Sequence, residues 1–86
     1  MELKILDFKA QWCAPCVAMS PILEEVEKET GVEIRKIDVD DNEEMVIAYG
    51  IRNIPTLIFL KDDKIVDKIS GTVSKKTLLN KINELK

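Results

Sequence analysis

The sequence predicts an α/β fold with four strands and three helices in the order β-α-β-α-β-β-α. Residues 3–8 are mostly apolar, residues 15–29 carry apolar side chains at helical spacing, and residues 56–60 and 65–70 flank a charged turn. Two right-handed βαβ-type connections followed by a hairpin predict a four-stranded mixed sheet with helices on both faces. Eighty-six residues are expected to form one domain, residues 1–86.

The first helix has the clearest signals in the chain. Its apolar residues recur at i, i+3, i+4 and i+7, and they are Met19, Ile22, Leu23 and Val26. Pro15 suits a first helical turn, and Gly31 is typical of a helix end. A second strand is predicted over residues 32–39.

The two later helices are marked at their starts. Asp41 followed by Glu44 resembles a capping box, which predicts a short helix that ends at Gly50. Ser74 is predicted to cap the last helix, whose apolar residues include Leu78.

The composition excludes several kinds of chemistry and partner. Thirteen Lys plus Arg and sixteen Asp plus Glu give a net charge of −3, which argues against nucleic acid as a partner. The absence of histidine excludes an imidazole general base, the Cys–His and Ser–His nucleophile pairs, and imidazole metal ligands. There is neither a membrane-length apolar run nor a signal-peptide pattern, so we expect a cytoplasmic protein that does not bind membranes.

Cys13 and Cys16 form a C-x-x-C pair where the first strand gives way to the first helix. Helix N-termini favour a thiolate at Cys13, and Cys16 lies one turn inward, where we expect it to be less exposed. This arrangement predicts that Cys13 attacks a disulfide and Cys16 resolves the mixed disulfide. The alternative is half of a zinc site shared across a dimer, since one chain supplies only two thiols.

Two segments resemble the thioredoxin family. Residues 7–16, DFKAQWCAPC, resemble its active-site strand and helix, and residues 49–57, YGIRNIPTL, resemble its cis-proline segment. Gly71 stands where the family has a glycine near the active site. The resemblance implies a thioredoxin fold and a monomer that reduces protein disulfides through a Cys13–Cys16 cycle. It implies no bound cofactor or metal, a thioredoxin-reductase-type electron donor, and disulfide-containing protein substrates.

The same resemblance implies how substrates dock. Pro55 would follow a cis peptide bond, and the backbone of Ile54 would pair with an extended substrate segment. A flat, mostly apolar docking surface is expected from Trp12, Ala14, Pro15, Ile54, Pro55, Gly71 and Thr72.

Asp7 is a carboxylate inside an otherwise apolar strand. Desolvation would raise its pKa, which makes it a candidate proton acceptor for Cys16. It matches the family's buried aspartate, and Lys36 matches the lysine that accompanies that aspartate. The alternative is that Asp7 points outward at a strand end and has no role.

Several departures from the family leave alternatives open. Ala14 replaces a glycine, Val17 replaces a frequent lysine, and Lys9 stands where an aromatic residue is common. The match begins at what would be the family's second strand, so we expect the extra N-terminal strand and helix of larger thioredoxins to be absent, and the chain to have the size of a glutaredoxin. A glutathione-dependent reductase is therefore one alternative, with Arg52 and Lys9 as the nearby basic groups. A thioredoxin-fold binding or chaperone module is the other.

Overall fold

The computed structural model describes residues 2–86, which form one four-stranded sheet and three helices. The elements follow the predicted order, and they are β1 (Leu3–Lys9), α1 (Ala14–Thr30), β2 (Glu33–Asp38), α2 (Glu43–Ala48), β3 (Thr56–Lys61), β4 (Lys64–Ser70) and α3 (Lys75–Leu85). Within this described part of the chain, no helix has both the length and the apolar character needed to cross a membrane.

The sheet is mixed, with strand order β2-β1-β3-β4. β1 pairs with β2 in parallel, and it pairs with β3 antiparallel; β3 and β4 form an antiparallel hairpin. The prediction of two βαβ-type connections is therefore wrong for the second one, because β3 runs opposite to β1 and β2. The six residues of α2 span about 9 Å, whereas a six-residue strand spans about 20 Å. So short a helix does not return the chain to the far end of the sheet.

Two apolar clusters cover the two faces of the sheet. On one face, Ile5 of β1 and Phe59 of β3 pack with Leu23 of α1 and Leu78 of α3. On the other face, residues that alternate with these form a second cluster against α2, which includes Phe8 and Ile58. The helices thus lie on both faces, as predicted, and the α1 face is the one that carries Asp7.

The start of α2 differs from the prediction. Asn42, and not Asp41, is the N-cap residue, and it makes no side-chain capping hydrogen bond to the helix. The Asn42 side-chain amide instead donates to the backbone oxygen of Asp38, at 2.9 Å. The side-chain carboxylate of Asp38 accepts from the backbone N–H of Asp40, also at 2.9 Å. The polar groups of this turn therefore stabilise the turn itself, which leaves the helix without the predicted capping box.

Candidate active site

The two cysteines are joined in a disulfide at the junction of β1 and α1. Their Cα atoms are 5.2 Å apart. Cys13 is the N-cap residue of α1, and its Sγ accepts a hydrogen bond from the backbone N–H of Cys16, at 3.2 Å. The backbone N–H of Cys13 donates to the oxygen of Ala10, at 3.2 Å, which ties the disulfide loop to the end of β1. A sulfur at this position meets the unpaired N–H groups and the positive end of the dipole of a 17-residue helix.

The predicted difference in exposure between the cysteines is negligible in the disulfide form. Cys13 is 5% exposed and Cys16 is 4% exposed. Both pack in a small cluster with Ala10, against the partly buried side chains of Val39 and Ile54. The two cysteines share one bond and one apolar surround, so both are buried. What distinguishes them is the helix: Cys13 caps it, and Cys16 lies inside its first turn.

Asp7 is buried, with 2% of its surface exposed. The alternative in which it points outward is therefore wrong. It lies on the α1 face of the sheet, in register with Leu57 on β3 and with Lys36 on β2. Burial raises the pKa of the Asp7 carboxyl from 3.8 to about 6, against the opposing attraction of Lys9 and Lys36. A carboxyl that titrates near neutral pH can exchange a proton under working conditions.

The two lysines near Asp7 differ in their surroundings. Lys36 is its parallel-strand partner, but the Lys36 amine lies 3.7 Å from the Glu24 carboxylate, and the side chain is 47% exposed. Lys9 lies two residues beyond Asp7 in β1. Because successive residues of a strand alternate between the two faces of the sheet, Lys9 lies on the same face as Asp7. The proximity of Lys9 to Asp7 was missed at the sequence level, although their two-residue spacing on a strand was a signal that could have shown it.

The cis-proline segment lies against the disulfide. The Ile54–Pro55 peptide bond is cis, as expected from the family resemblance. The Pro55 oxygen accepts a hydrogen bond from the Gly71 N–H, at 2.8 Å, so the residues after β4 are held beside this segment. Gly71 has φ +86°, a left-handed conformation that favours glycine. Thr72 follows it as an exposed residue.

Trp12 is the most prominent exposed side chain near the disulfide. The residue is 70% exposed, and its indole Nε1 donates to the Asp40 carboxylate, at 2.8 Å. An open groove of about 400 Å³ lies between Trp12 and Ile54, with Ile51 and Arg52 among its lining residues. Asp40 was missed at the sequence level, because 28 residues separate it from Trp12 and no local pattern links the two.

The other small residues of the expected docking surface lie at the start of α1. Ala14 and Pro15 are its first two residues, and both are exposed beside the disulfide. Pro15 lacks an N–H, and none is required of it in the first turn. Among residues 2–86, no three His, Cys, Asp or Glu side chains are grouped so as to hold a metal ion.

Comparison with known proteins decides the family. A family model described as Thioredoxin matches residues 1–84 of the chain. The chain belongs to the thioredoxin family. It is 42% identical over 83 residues to the thioredoxin of Chlamydia caviae, with 95% of this chain and 81% of that protein covered. It is 43% identical over 82 residues to the thioredoxin of Bacillus subtilis, with 93% and 79% covered.

Solved structures agree with the family assignment. The thioredoxin of Fasciola hepatica superposes with a TM-score of 0.92 at 42% identity, covering 99% of this chain and 82% of that one. A mutant thioredoxin from Halobacterium salinarum NRC-1 gives 0.93 at 34% identity, covering 96% and 74%. Family, fold and the Cys13–Cys16 disulfide together identify this family member as a thiol-disulfide oxidoreductase. This assignment favours a reductase of protein disulfides over a glutathione-dependent reductase.

Proposed function

We propose that residues 1–86 act as one domain that reduces disulfides in proteins, with Cys13 as the nucleophile and Cys16 as the resolving thiol. The observation that carries this proposal is the position of Cys13 as the N-cap of α1. In the dithiol form, the N–H of Cys16 and the helix dipole favour a thiolate at Cys13 over a thiol. That thiolate attacks one sulfur of a substrate disulfide. A Cys13–substrate bond forms, the substrate disulfide breaks, and the other substrate sulfur leaves as a thiolate.

The second step returns the site to its disulfide form. Asp7 takes the proton of the Cys16 thiol, and the resulting thiolate attacks Cys13. The Cys13–Cys16 bond forms while the Cys13–substrate bond breaks, and the second substrate sulfur leaves as a thiolate. The substrate gains two electrons, and the cysteine pair loses two. The burial of Asp7 on the α1 face supports its role as the proton acceptor, and its register with Lys36 supports a partner role for that lysine.

Substrate docking is proposed for the surface around the disulfide. Its members are Trp12, Ala14, Pro15, Ile54, Pro55, Gly71 and Thr72. The contact of Ile54 with the cysteine cluster supports the pairing of its backbone with an extended substrate segment. The exposed indole of Trp12 offers the large apolar area that such interfaces use.

Replacing Trp12 with alanine is expected to raise KM for a protein disulfide such as insulin by about tenfold, since exposed aromatic anchors carry much of an interface's binding energy. The reaction with a small soluble disulfide should change little, because it does not need the docking surface. Ile47→Ala is the matched control: Ile47 is 73% exposed on α2 and does not line the groove beside Trp12. Equal KM values for the wild type and Trp12→Ala would remove Trp12 from the docking surface.

The partners follow from the family. A reductase that supplies electrons and proteins that carry disulfides are implied for any thioredoxin. We propose in addition that this chain works as a monomer in the cytoplasm, where a C-x-x-C pair is kept reduced and available. Sedimentation of the reduced protein tests the monomer.

The binding-module alternative is separated from the reductase by one assay. The reductase accelerates the reduction of insulin by dithiothreitol, and the Cys13→Ser variant does not. If the protein were a binding module, neither the wild type nor the Cys13→Ser variant would change the rate of insulin reduction by dithiothreitol.

A further inference from the structure

Lys9 lies between the buried carboxyl group and the disulfide loop. It is two residues beyond Asp7 on β1, so its side chain leaves the same face of the sheet about 7 Å further along the strand. The next residue, Ala10, accepts the hydrogen bond from the Cys13 N–H. The backbone oxygen of Lys9 accepts from the Val39 N–H, at 2.9 Å, which fixes the strand end at this point. The side chain is partly buried.

Four elements surround the part of the sheet that holds Asp7: β1, β2, β3 and α1. Its own strand contributes Lys9, and β2 contributes Lys36, whose amine is already paired with Glu24 of α1. α1 packs on this face and contributes Glu24 through that ion pair, and the register partner on β3 is the apolar Leu57. No carboxylate within residues 2–86 lies within 4 Å of the Lys9 amine. Of the two lysines that lower the pKa of Asp7, Lys9 is thus the one without an ion-pair partner among residues 2–86.

We propose that Lys9 is a positioning residue for Asp7: its positive charge keeps the buried carboxylate ionised so that the carboxylate can accept the proton of Cys16. This inference rests on the proton-acceptor role proposed for Asp7. Burial raises the pKa of Asp7, and attraction to Lys9 is the first of the two effects that hold the rise to about 6. Without Lys9, a smaller fraction of the carboxyl groups would be ionised at neutral pH, and the second step of exchange would slow.

The direct test is an NMR titration of the Asp7 side-chain carbon in the disulfide form, which needs no activity. The midpoint is expected near pH 6 in the wild type. We expect Lys9→Met to raise it by about half a pH unit or more, which is about a threefold change in the proton affinity of the carboxylate. Lys9→Arg should restore the wild-type midpoint. Lys4→Met is the matched control, since it removes the same charge from the opposite face of β1.

The outcomes separate the inference from the proposed function. An unchanged midpoint in Lys9→Met, or equal shifts in Lys9→Met and Lys4→Met, overturns the role of Lys9. A second readout is the rate at which Cys16 resolves a Cys13 mixed disulfide, measured from pH 5 to 9. The acid limb of that profile should move to higher pH in Lys9→Met and return in Lys9→Arg. If Asp7→Asn leaves this rate unchanged while the midpoint still shifts in Lys9→Met, then the proton-acceptor role fails and the charge effect of Lys9 stands.

Discussion

Replacing Cys16 with serine is expected to convert this protein from a catalyst into a trap. Cys13 can still attack a substrate disulfide, but no second thiol is available inside the protein to release the product. Intramolecular groups at such close range react as if present at very high concentration, so external thiols at millimolar levels replace Cys16 poorly. Turnover of insulin should fall by about a hundredfold or more. Mixed disulfides between Cys13 and substrate chains should accumulate and appear as a mass increase that dithiothreitol removes.

Cys13→Ser is the control for the trap. It keeps one thiol, yet the remaining Cys16 lies inside the first turn of α1 and lacks the N-cap position that favours a thiolate. We expect no mixed disulfides and no turnover from this variant. Trapping by both variants to the same extent would mean that the two cysteines are interchangeable, which contradicts the assigned roles.

Replacing Asp7 with asparagine is expected to change how stability depends on pH. Because the pKa of Asp7 is about 6 in the folded protein and ordinarily 3.8, the folded state binds the proton more tightly than the unfolded state does. The free energy of unfolding of the wild type therefore falls as pH rises from about 4 to 6, and it stays at the lower value above that range. The penalty amounts to about 3 kcal/mol. The variant lacks this titration, so its stability relative to the wild type should rise by about that amount between pH 4 and pH 8.

Urea unfolding of the disulfide forms at pH 4 and pH 8 measures this difference. Comparing the change between the two pH values removes the constant cost of placing an amide in the buried site. Glu33→Gln is the control, since it removes an exposed carboxylate from β2. A relative stability that is the same at both pH values would show that burial does not perturb Asp7 in the way described.

The same substitution also has a kinetic consequence. With Asp7→Asn, Cys16 loses its proton acceptor, so resolution of the mixed disulfide should slow near neutral pH more than the first attack by Cys13 does. Stopped-flow traces separate the two steps. Equal slowing of both would argue that Asp7 affects the site as a whole and not the resolving thiol.

Local patterns were enough to predict much of this site. The start of α1 after a C-x-x-C pair could be predicted from Pro15 and the spacing of apolar residues, and both cysteines are found there. The burial of Asp7 followed from the apolar residues around it in β1. The order of elements followed in the same way, because periodicity and turn residues are local properties of the chain.

Features that depend on distant residues could not be predicted in this way. The antiparallel direction of β3 depends on how far α2 and the segment after it carry the chain along the sheet, and the local patterns that predicted a short helix did not show that direction. The Trp12–Asp40 hydrogen bond joins two loops that only the folded sheet brings together. The two cysteines are almost equally buried in the disulfide form, whereas the argument from helix position concerned the separate thiols.

The central claim is that Cys13 and Cys16 exchange two electrons with a protein disulfide, and a single-turnover reaction tests it most directly. The protein is reduced, freed of reductant and mixed with excess insulin. The thiols of both proteins are then alkylated, and the masses of the alkylated proteins are measured by mass spectrometry. We predict that one insulin disulfide opens for every Cys13–Cys16 disulfide that forms. Cysteines that stay reduced while insulin stays intact would contradict the claim.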